Sequence, residues 1–591
     1  MGPVEPPPIR VPVGEEAHRW TSRTVERRVL LVVHNATSAG RLLDLLPLFH
    51  DDFRVQLLIT STDSSAFRGG VREIFAALEL PVLPWKQALS TPVDLAISAS
   101  FGGELALIQG NLSVISHGVG YTKRLGTPGP DGSEPTFGLS SEWLLSDGRP
   151  FVDGLVLSHP EQLERLARVC AEAVPSAVLA GDPCFDRMLA ARPYRERFRR
   201  ALGVRRGQRL VVLNSTWNPE GFFGSGGGRD VLPGLLTRLA AELPADDYRL
   251  AAVLHPNIWH GHGPGQVRAW LDRARRGGLT LIDPVHGWRQ ALLAADLVLG
   301  DFGAVTYYSA ALGSAVLLAA DGQERLDPEA PLAEFVRCAP RLDPYAPLRP
   351  QVERTLEEHR PDPAHAGFVS SEPGRSAVLL RQHFYALMDL PEPAAPASLE
   401  PLPLPPYEPP RPTAPLYVRT RVRGRDVTVE RSTALPHDAA GDTHLAVHEE
   451  TRHPGDLESA DVITRDGRAD DPRLGGAELW TAEVLREHPR CAAAVYVTGP
   501  HACTVRTRDH GVFRLTAGAG ADADPAAYAS SLHAWLAYGG TVPPGGVTLR
   551  THAAGGAHPV VVKAVVEPIE QWPRSAVADW PDTEGVEPQP V

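Results

Sequence analysis

Cysteine is scarce in this chain, and what there is lies scattered. Cys170, Cys184, Cys338, Cys491 and Cys503 are odd in number, widely spaced and free of any CxxC pair, which argues against a disulfide framework or a zinc ribbon and fits a reducing cytoplasm. Long apolar runs are missing too. No stretch reaches membrane-spanning length, and the N-terminus, with Pro3, Pro6, Pro7, Pro8, Glu15 and Glu16, lacks the basic start and apolar core of a signal peptide. A cytoplasmic location is therefore expected. An excess of positive charge is absent as well: the net charge of −13 gives no electrostatic footprint for nucleic acid or an anionic membrane. Lysine is confined to Lys86, Lys123 and Lys563, a skew toward arginine that carries no functional weight.

What is present is proline and glycine, 57 and 54 residues in a chain of 591, alongside an ordinary 43% of hydrophobic residues. Such a length exceeds one hydrophobic core and predicts two to four domains joined by long loops. After a polar, proline-rich segment 1–27, residues 29–33 (VLLVV) read as a buried strand, 38–48 as a helix capped at Ser38, and 55–59 as a second strand. Further strands at 95–98, 113–116 and 177–180 alternate with helical stretches such as 71–80 and 161–173. The pattern restarts at 209–213 and runs through strands at 250–254, 279–282, 297–300 and 315–319. Strands alternating with helices imply parallel sheets covered on both faces. The fold class expected is α/β, two Rossmann-like lobes over 28–190 and 191–390. A helix near 376–390 ends this part. Residues 391–415 (PEPAAPASLEPLPLPPYEPPRPTAP) form an extended linker, because proline fixes φ and withholds donors. A smaller α+β domain is expected over 416–568 and a disordered tail over 569–591.

In a doubly wound sheet, ligands sit outside the carboxyl ends of the strands, and five such segments stand out. His117-Gly118-Val119-Gly120 with Lys123 follows the 113–116 strand; an imidazole there can take a hydroxyl proton near neutral pH or merely hydrogen-bond a turn. Asn214-Ser215-Thr216-Trp217-Asn218, then a glycine-rich run 224–228, offers free amides to a phosphate or is a surface loop. His255-Pro256-Asn257 places an imidazole able to donate to a phosphate oxygen, or a structural turn histidine. Asp301-Phe302-Gly303-Ala304-Val305-Thr306 leads into a helix whose start suits an anion, with Asp301 either a cap or a ligand contact. Gly181-Asp182-Pro183-Cys184-Phe185-Asp186 lies between the lobes. His255, His260 and His262 have no carboxylate at matching spacing, so no metal and no cofactor is expected.

The order of these segments resembles the CDP-glycerol glycerophosphotransferase family of teichoic-acid-type polymerases over about residues 28–390. The family's run of His-Gly-Thr-Pro-Leu-Lys, Gly-x-Pro-Arg-x-Asp, Pro-Thr-Trp-Arg, His-Pro and Ala-Asp-x-x-Ile-x-Asp-Tyr-Ser-Ser is met by five stretches. These are His117-Gly118 with Lys123, Gly181-Asp182-Pro183 with Asp186, Ser215-Thr216-Trp217, His255-Pro256, and Ala295-Asp296 through Ala304. The resemblance implies a GT-B fold and transfer of a polyol phosphate from a cytidine diphosphate donor to a hydroxyl acceptor. His117 would be the base; His255, Ser215, Thr216, Asp301, Gly303, Ala304 and Thr306 would bind donor; Lys123 would contact acceptor or phosphate. The sequence departs where the family's arginines are Cys184 and Asn218 and its paired serines are Gly303-Ala304, so donor affinity or donor identity is expected to differ from the family's. Three functions stay open: a transferase of glycosyl or polyol-phosphate groups; a catalytically inactive nucleotide or sugar-nucleotide binding or signalling protein whose C-terminal domain engages a partner; and a sugar-nucleotide 2-epimerase, which would need acidic residues not identified in the cleft.

Overall fold

The computed structural model describes residues 7–565 apart from 63, 68, 126–133, 227–229, 407–411, 436–440, 468–475 and 519; the expected tail 569–591 and residues 1–6 of the N-terminal segment lie outside the described residues. Strand burial shows why the first lobe forms. Along Arg27–Val33, Val29, Leu31 and Val33 join one apolar cluster while Leu30 and Val32 join another on the opposite face. The side-chain period of two thus serves two cores at once, as in a sheet covered on both sides. Val55–Ser61 and Leu95–Ser98 flank it in parallel and Asn111–Val114 pairs beyond Leu95–Ser98, within a seven-stranded sheet that ends at Ala177–Leu179.

The second lobe repeats the device. In Arg209–Ser215, Leu210 and Val212 face one cluster and Val211 and Leu213 the other. Five parallel strands result, with Arg209–Ser215 between Tyr248–Leu254 and Leu297–Gly300. Each fully buried aliphatic side chain contributes about 1.5–3 kcal/mol, so these two-faced strands carry much of the stability. In both sheets the chain reverses its direction of winding beside the first strand, and the two reversal points face each other across a cleft.

The chain then returns to the first lobe. Ala377, Leu380, Phe384 and Tyr385 of the helix Ser376–Leu387 sit in the first lobe's core, not the second's, and Asp186 accepts hydrogen bonds from the Gly374 and Ser376 amides. Nor is the proline-rich stretch a free spacer where it is described. Leu402 is buried in the second lobe's core, Arg187 donates to Glu400 O and Pro401 O, and Gln290 donates to Pro403 O. The carbonyls left unused by a proline-rich backbone are what these side chains capture.

The segment read as an α+β module is a closed barrel of nine strands. In order around the circuit these are Leu416–Arg423, Asp426–Ser432, Val547–Ala553, Gly556–Ala564, Gly511–Ala517, Ala502–Thr507, Ala493–Gly499, Val462–Asp466 and Asp442–His448. The helix Pro525–Ala537 packs against strands on opposite sides of that circuit and buries residues on every face, Ala527, Tyr528, Ser531 and Leu532 among them. A helix apolar all round is a core helix, and this one fills the barrel. Arg431, buried, ties the barrel to the second lobe through a two-pronged pair with Asp246 at 2.7 and 2.9 Å, and is itself held within the barrel domain by Asp524 at 2.8 Å. Among the described residues no helix is long and apolar enough to cross a membrane.

Candidate functional site

The carboxyl ends of both sheets border one cavity of about 190 Å³ between the lobes, and it gathers His117, Lys123, Ser215, Thr216, His255, Gly303 and Ala304. Five of the sequence segments therefore do not contribute equally. Asp301 and Thr306 are fully buried behind the cavity wall. Asp301 accepts from the backbone N–H groups of Thr216, Phe222 and Gly303 at 2.9, 3.0 and 2.9 Å, and burial pushes its carboxyl up against those three donors. Its work is to lash the loop after one strand to the helix start after the next. Thr306 Oγ1 accepts from Asn214 Nδ2 at 2.8 Å and from Asp301 N at 3.2 Å, a bond between neighbouring strand ends. The glycine-rich run is also turned away from the role foreseen for it: Gly224 and Gly226 spend their amides on Gly221 O and Pro219 O, and Gly227 and Gly228 lie outside the described residues.

The two histidines are fixed in opposite tautomers. His117 Nδ1 lies 2.7 Å from Ala99 O. A carbonyl can only accept, so Nδ1 carries the proton and Nε2 is left as a lone pair. His255 Nδ1 accepts from Asn257 N at 3.1 Å, so here Nε2 carries the proton and points toward Thr37 Oγ1, 3.5 Å away on the other lobe. One imidazole is an acceptor and the other a donor. Burial, with Arg41 and Lys123 nearby, pushes His117 down to about 4; burial, then Lys123 and His117, pushes His255 down to about 3. Both are neutral at pH 7.

Cations complete the cavity. Lys123 Nζ bridges to Thr216 Oγ1 at 3.1 Å and Asn218 Oδ1 at 2.9 Å. Burial lowers its ammonium to about 8, with Asp301 and Glu220 pulling the other way, so it stays charged at neutral pH. Arg41 and Arg289, which the sequence reading did not single out, also line the cavity. Arg41 reaches Tyr308 and Asp182, and Arg289 reaches Asp44 Oδ2 at 2.6 Å and Cys184 Sγ at 3.0 Å. At Cys184 and Asn218, where the resembled family has arginine, cations from elsewhere in the chain stand instead: Arg289 on the first, Lys123 on the second. The one sequence signal for Arg41 is an arginine inside an otherwise apolar helical run. That helix begins at Ala36, two residues before the expected cap, with Asn35 accepting from Ser38 N and Ser38 closing a capping box.

Facing these groups is the start of the helix Ala304–Ala311, capped by Gly303 with no side-chain partner. Any Cβ at Gly303 would lie 3.0 Å from Asp301 Oδ1 and 3.1 Å from Thr216 Cβ, so a side chain there would have to push these two back by a few tenths of an ångström. The amides there and the positive end of the helix face the cavity through Ala304 and Val305. Among the described residues no three His, Cys, Asp or Glu side chains converge as a metal site.

Two parallel sheets, switch points facing across a cleft and a last helix returning to the first lobe are now in place. The chain has a GT-B-type fold. No family model matches it, and no curated protein does. Solved structures similar to it include the wall teichoic acid polymerase TagF, at 11% identity over 62% of this chain and 89% of that one with a TM-score of 0.40. S. aureus MnaA with UDP is similar at 11% identity over 63% and 100%, TM-score 0.41. The UDP-GlcNAc 2-epimerase from Neisseria meningitidis bound to UDP-GlcNAc is similar at 12% identity over 61% and 99%, TM-score 0.38.

Proposed function

We propose that the GT-B-type cleft binds a nucleotide-diphosphate-linked donor and transfers its glycosyl or polyol-phosphate group to a hydroxyl acceptor. The observation that carries this reading is the pair of opposed tautomers. His255 Nε2–H, Lys123 and the Ala304 helix start offer three kinds of donor to a diphosphate, while His117 Nε2 offers a lone pair to an acceptor hydroxyl. In the reaction His117 takes the hydroxyl proton as the acceptor oxygen forms its bond. Attack on an anomeric carbon releases nucleoside diphosphate; attack on the distal phosphorus releases nucleoside monophosphate. The negative charge of a bound diphosphate raises the proton affinity of His117, bringing its depressed basicity back toward the working range.

At about 190 Å³ the cavity is below the roughly 300–1,000 Å³ of small-molecule sites. On this reading the lobes part to admit the donor, loosening the Lys123 bonds, the Arg289–Asp44 pair and the Phe67–Trp217 edge contact. The same closure, with Gly303-Ala304 offering only backbone, favours the second reading, a nucleotide-binding protein without turnover. The test is thermal denaturation of the full chain with CDP-, UDP-, GDP- and dTDP-linked compounds, since binding to the native state raises the melting temperature. Absence of any shift removes the donor site. With a binding donor in hand, His117→Ala should retain the shift and lose turnover by about 10²–10⁴-fold; unaltered turnover would take the base role from His117, and none in the parent chain selects the second reading.

A further inference from the structure

One face of the barrel is charged opposite to the chain as a whole. On the strands Leu416–Arg423, Val547–Ala553, Gly556–Ala564 and Gly511–Ala517, and the turn after the first of them, Arg421, Arg423, Arg425, Arg550, Lys563 and Arg514 are all exposed. The register places them on one side. Arg423 and Arg550 both stand opposite Asp426, and Lys563 stands directly opposite Arg514. Against Arg423, Arg425, Arg550, Lys563 and Arg514, the described residues of the face hold Asp426, already shared between Arg550 at 3.3 Å and His552 at 2.8 Å. Glu430, further along, is held by Arg419. Arg423, Arg425, Arg514 and Lys563 make no ion pair among the described residues. Like charges directly across a strand pair, as at Lys563 and Arg514, are unfavourable unless an anion covers them.

The other faces of the barrel are occupied. Helices Pro454–Ser459 and Ala477–Glu487 pack over the strands from Asp442 to Thr507, and the end of Asp426–Ser432 meets the second lobe through Arg431. Among the described residues nothing packs over the basic face, and Val561 is exposed on it.

The sequence supplies the complementary charge a few residues away. Residues 566–591 carry Glu567, Glu570, Asp579, Asp582, Glu584 and Glu587 against a single Arg574. They follow Val565, whose N–H donates to Val512 O at 2.8 Å, so the segment leaves the barrel beside Arg514 and Lys563. A random coil of this length has an end-to-end distance on the order of 30 Å, enough to cross four strands spaced about 4.8 Å apart.

We propose that residues 566–591 dock on this basic face of their own barrel, so that the acidic segment neutralises the exposed arginines and lysine. Tethering makes this attainable with modest contacts. A short flexible connection gives an effective concentration of about 1 mM, so an affinity of about 100 μM between separate pieces leaves the segment docked about nine-tenths of the time.

The experiment compares the full chain with a version ending at Val565, using a fluorescein-labelled peptide of residues 566–591 and its anisotropy. The shortened chain should bind the peptide, and the full chain about tenfold more weakly because its own segment holds the face. Raising salt from about 0.1 M to about 1 M, which shortens the Debye length from about 10 Å to about 3 Å, should abolish binding. The double substitution Arg514→Glu with Lys563→Glu in the shortened chain should do the same at low salt. Arg550→Glu should weaken binding severalfold. All three side chains are exposed, and an unchanged melting temperature verifies the fold. No binding to the shortened chain, or binding indifferent to charge reversal, overturns the proposal. Equal binding to full and shortened chains overturns docking within the molecule and makes a second copy the occupant.

Discussion

The interlobe cleft and the barrel interior both bury histidines beside hydroxyls, yet they differ in what those groups face. In the barrel, His444 Nε2 lies 3.1 Å from Ser530 Oγ, and His533 stands edge-on to His444, but the helix Pro525–Ala537 fills the space around them. In the cleft, His117 and His255 each spend one ring nitrogen on the backbone and turn the other toward a cavity. Burial depresses the basicity of both pairs; open space beside an oriented nitrogen sets the cleft apart. A lowered imidazole pKa by itself marks desolvation, and becomes a functional sign only where the geometry leaves a lone pair or an N–H free.

Removing the filler from the barrel should have the largest effect. Tyr528→Ala deletes a fully buried ring and should cost about 3–5 kcal/mol, read as a lower denaturation midpoint of the barrel's transition, while ligand-induced stabilisation of the lobes persists. If the lobes lose their ligand response as well, the two regions are one cooperative unit and the contrast fails. A smaller effect is expected at Lys123. Lys123→Met should weaken a nucleoside diphosphate by about 1.5–3 kcal/mol, the range for a hydrogen bond to a charged group, measured by calorimetry; unchanged affinity would detach Lys123 from the anion site.

The next effect is a slope with pH. His34, His117, His255 and His444 are lowered to about 4, 4, 3 and 3 from an unfolded value near 6.5. Between pH 6.5 and about 4 the unfolded chain binds more protons than the folded one. Stability is therefore complete above pH 6.5 and falls as the pH drops, by up to about 1.4 kcal/mol per pH unit for each such histidine. A bound diphosphate should flatten the share due to His117 and His255 and leave that of His444 untouched. Scans of melting temperature against pH, with and without ligand, separate the two, and an unaltered slope counts against an anion beside the cleft histidines. The smallest effect belongs to the strap of residues 391–403. Arg54→Ala removes the exposed bond to Pro391 O and a two-pronged pair with the nearly buried Asp52, and because Tyr385 still donates to that carboxylate the loss should stay near about 1 kcal/mol, read as a small drop in melting temperature.

Much of this was legible in the residues. Branched apolar runs such as 29–33 and 209–213, each followed by a helical pattern, specified two parallel sheets because every residue of a two-faced strand must be apolar. The residues just past those strands specified where His117, His255 and Gly303 would gather. Less legible was the barrel, whose strands alternate apolar and polar residues like any half-covered sheet; its closure depends on which edges meet, and the helix at 525–537 reads locally as another apolar helix. The helix Ser376–Leu387 gave no hint that it packs on the first lobe, since an apolar stripe does not name its partner.

By itself the sequence determined the α/β class, the tandem of lobes and the places of the strand-end loops, all properties of local pattern and composition. Only the tertiary structure decided that Asp301 and Thr306 brace the site from behind and that Arg41 and Arg289 enter it. It also set the two histidines in opposite tautomers. Those outcomes depend on which carbonyl, amide or carboxylate lies within hydrogen-bond reach, and such neighbours are brought together from distant parts of the chain by packing, which no spacing along the sequence encodes.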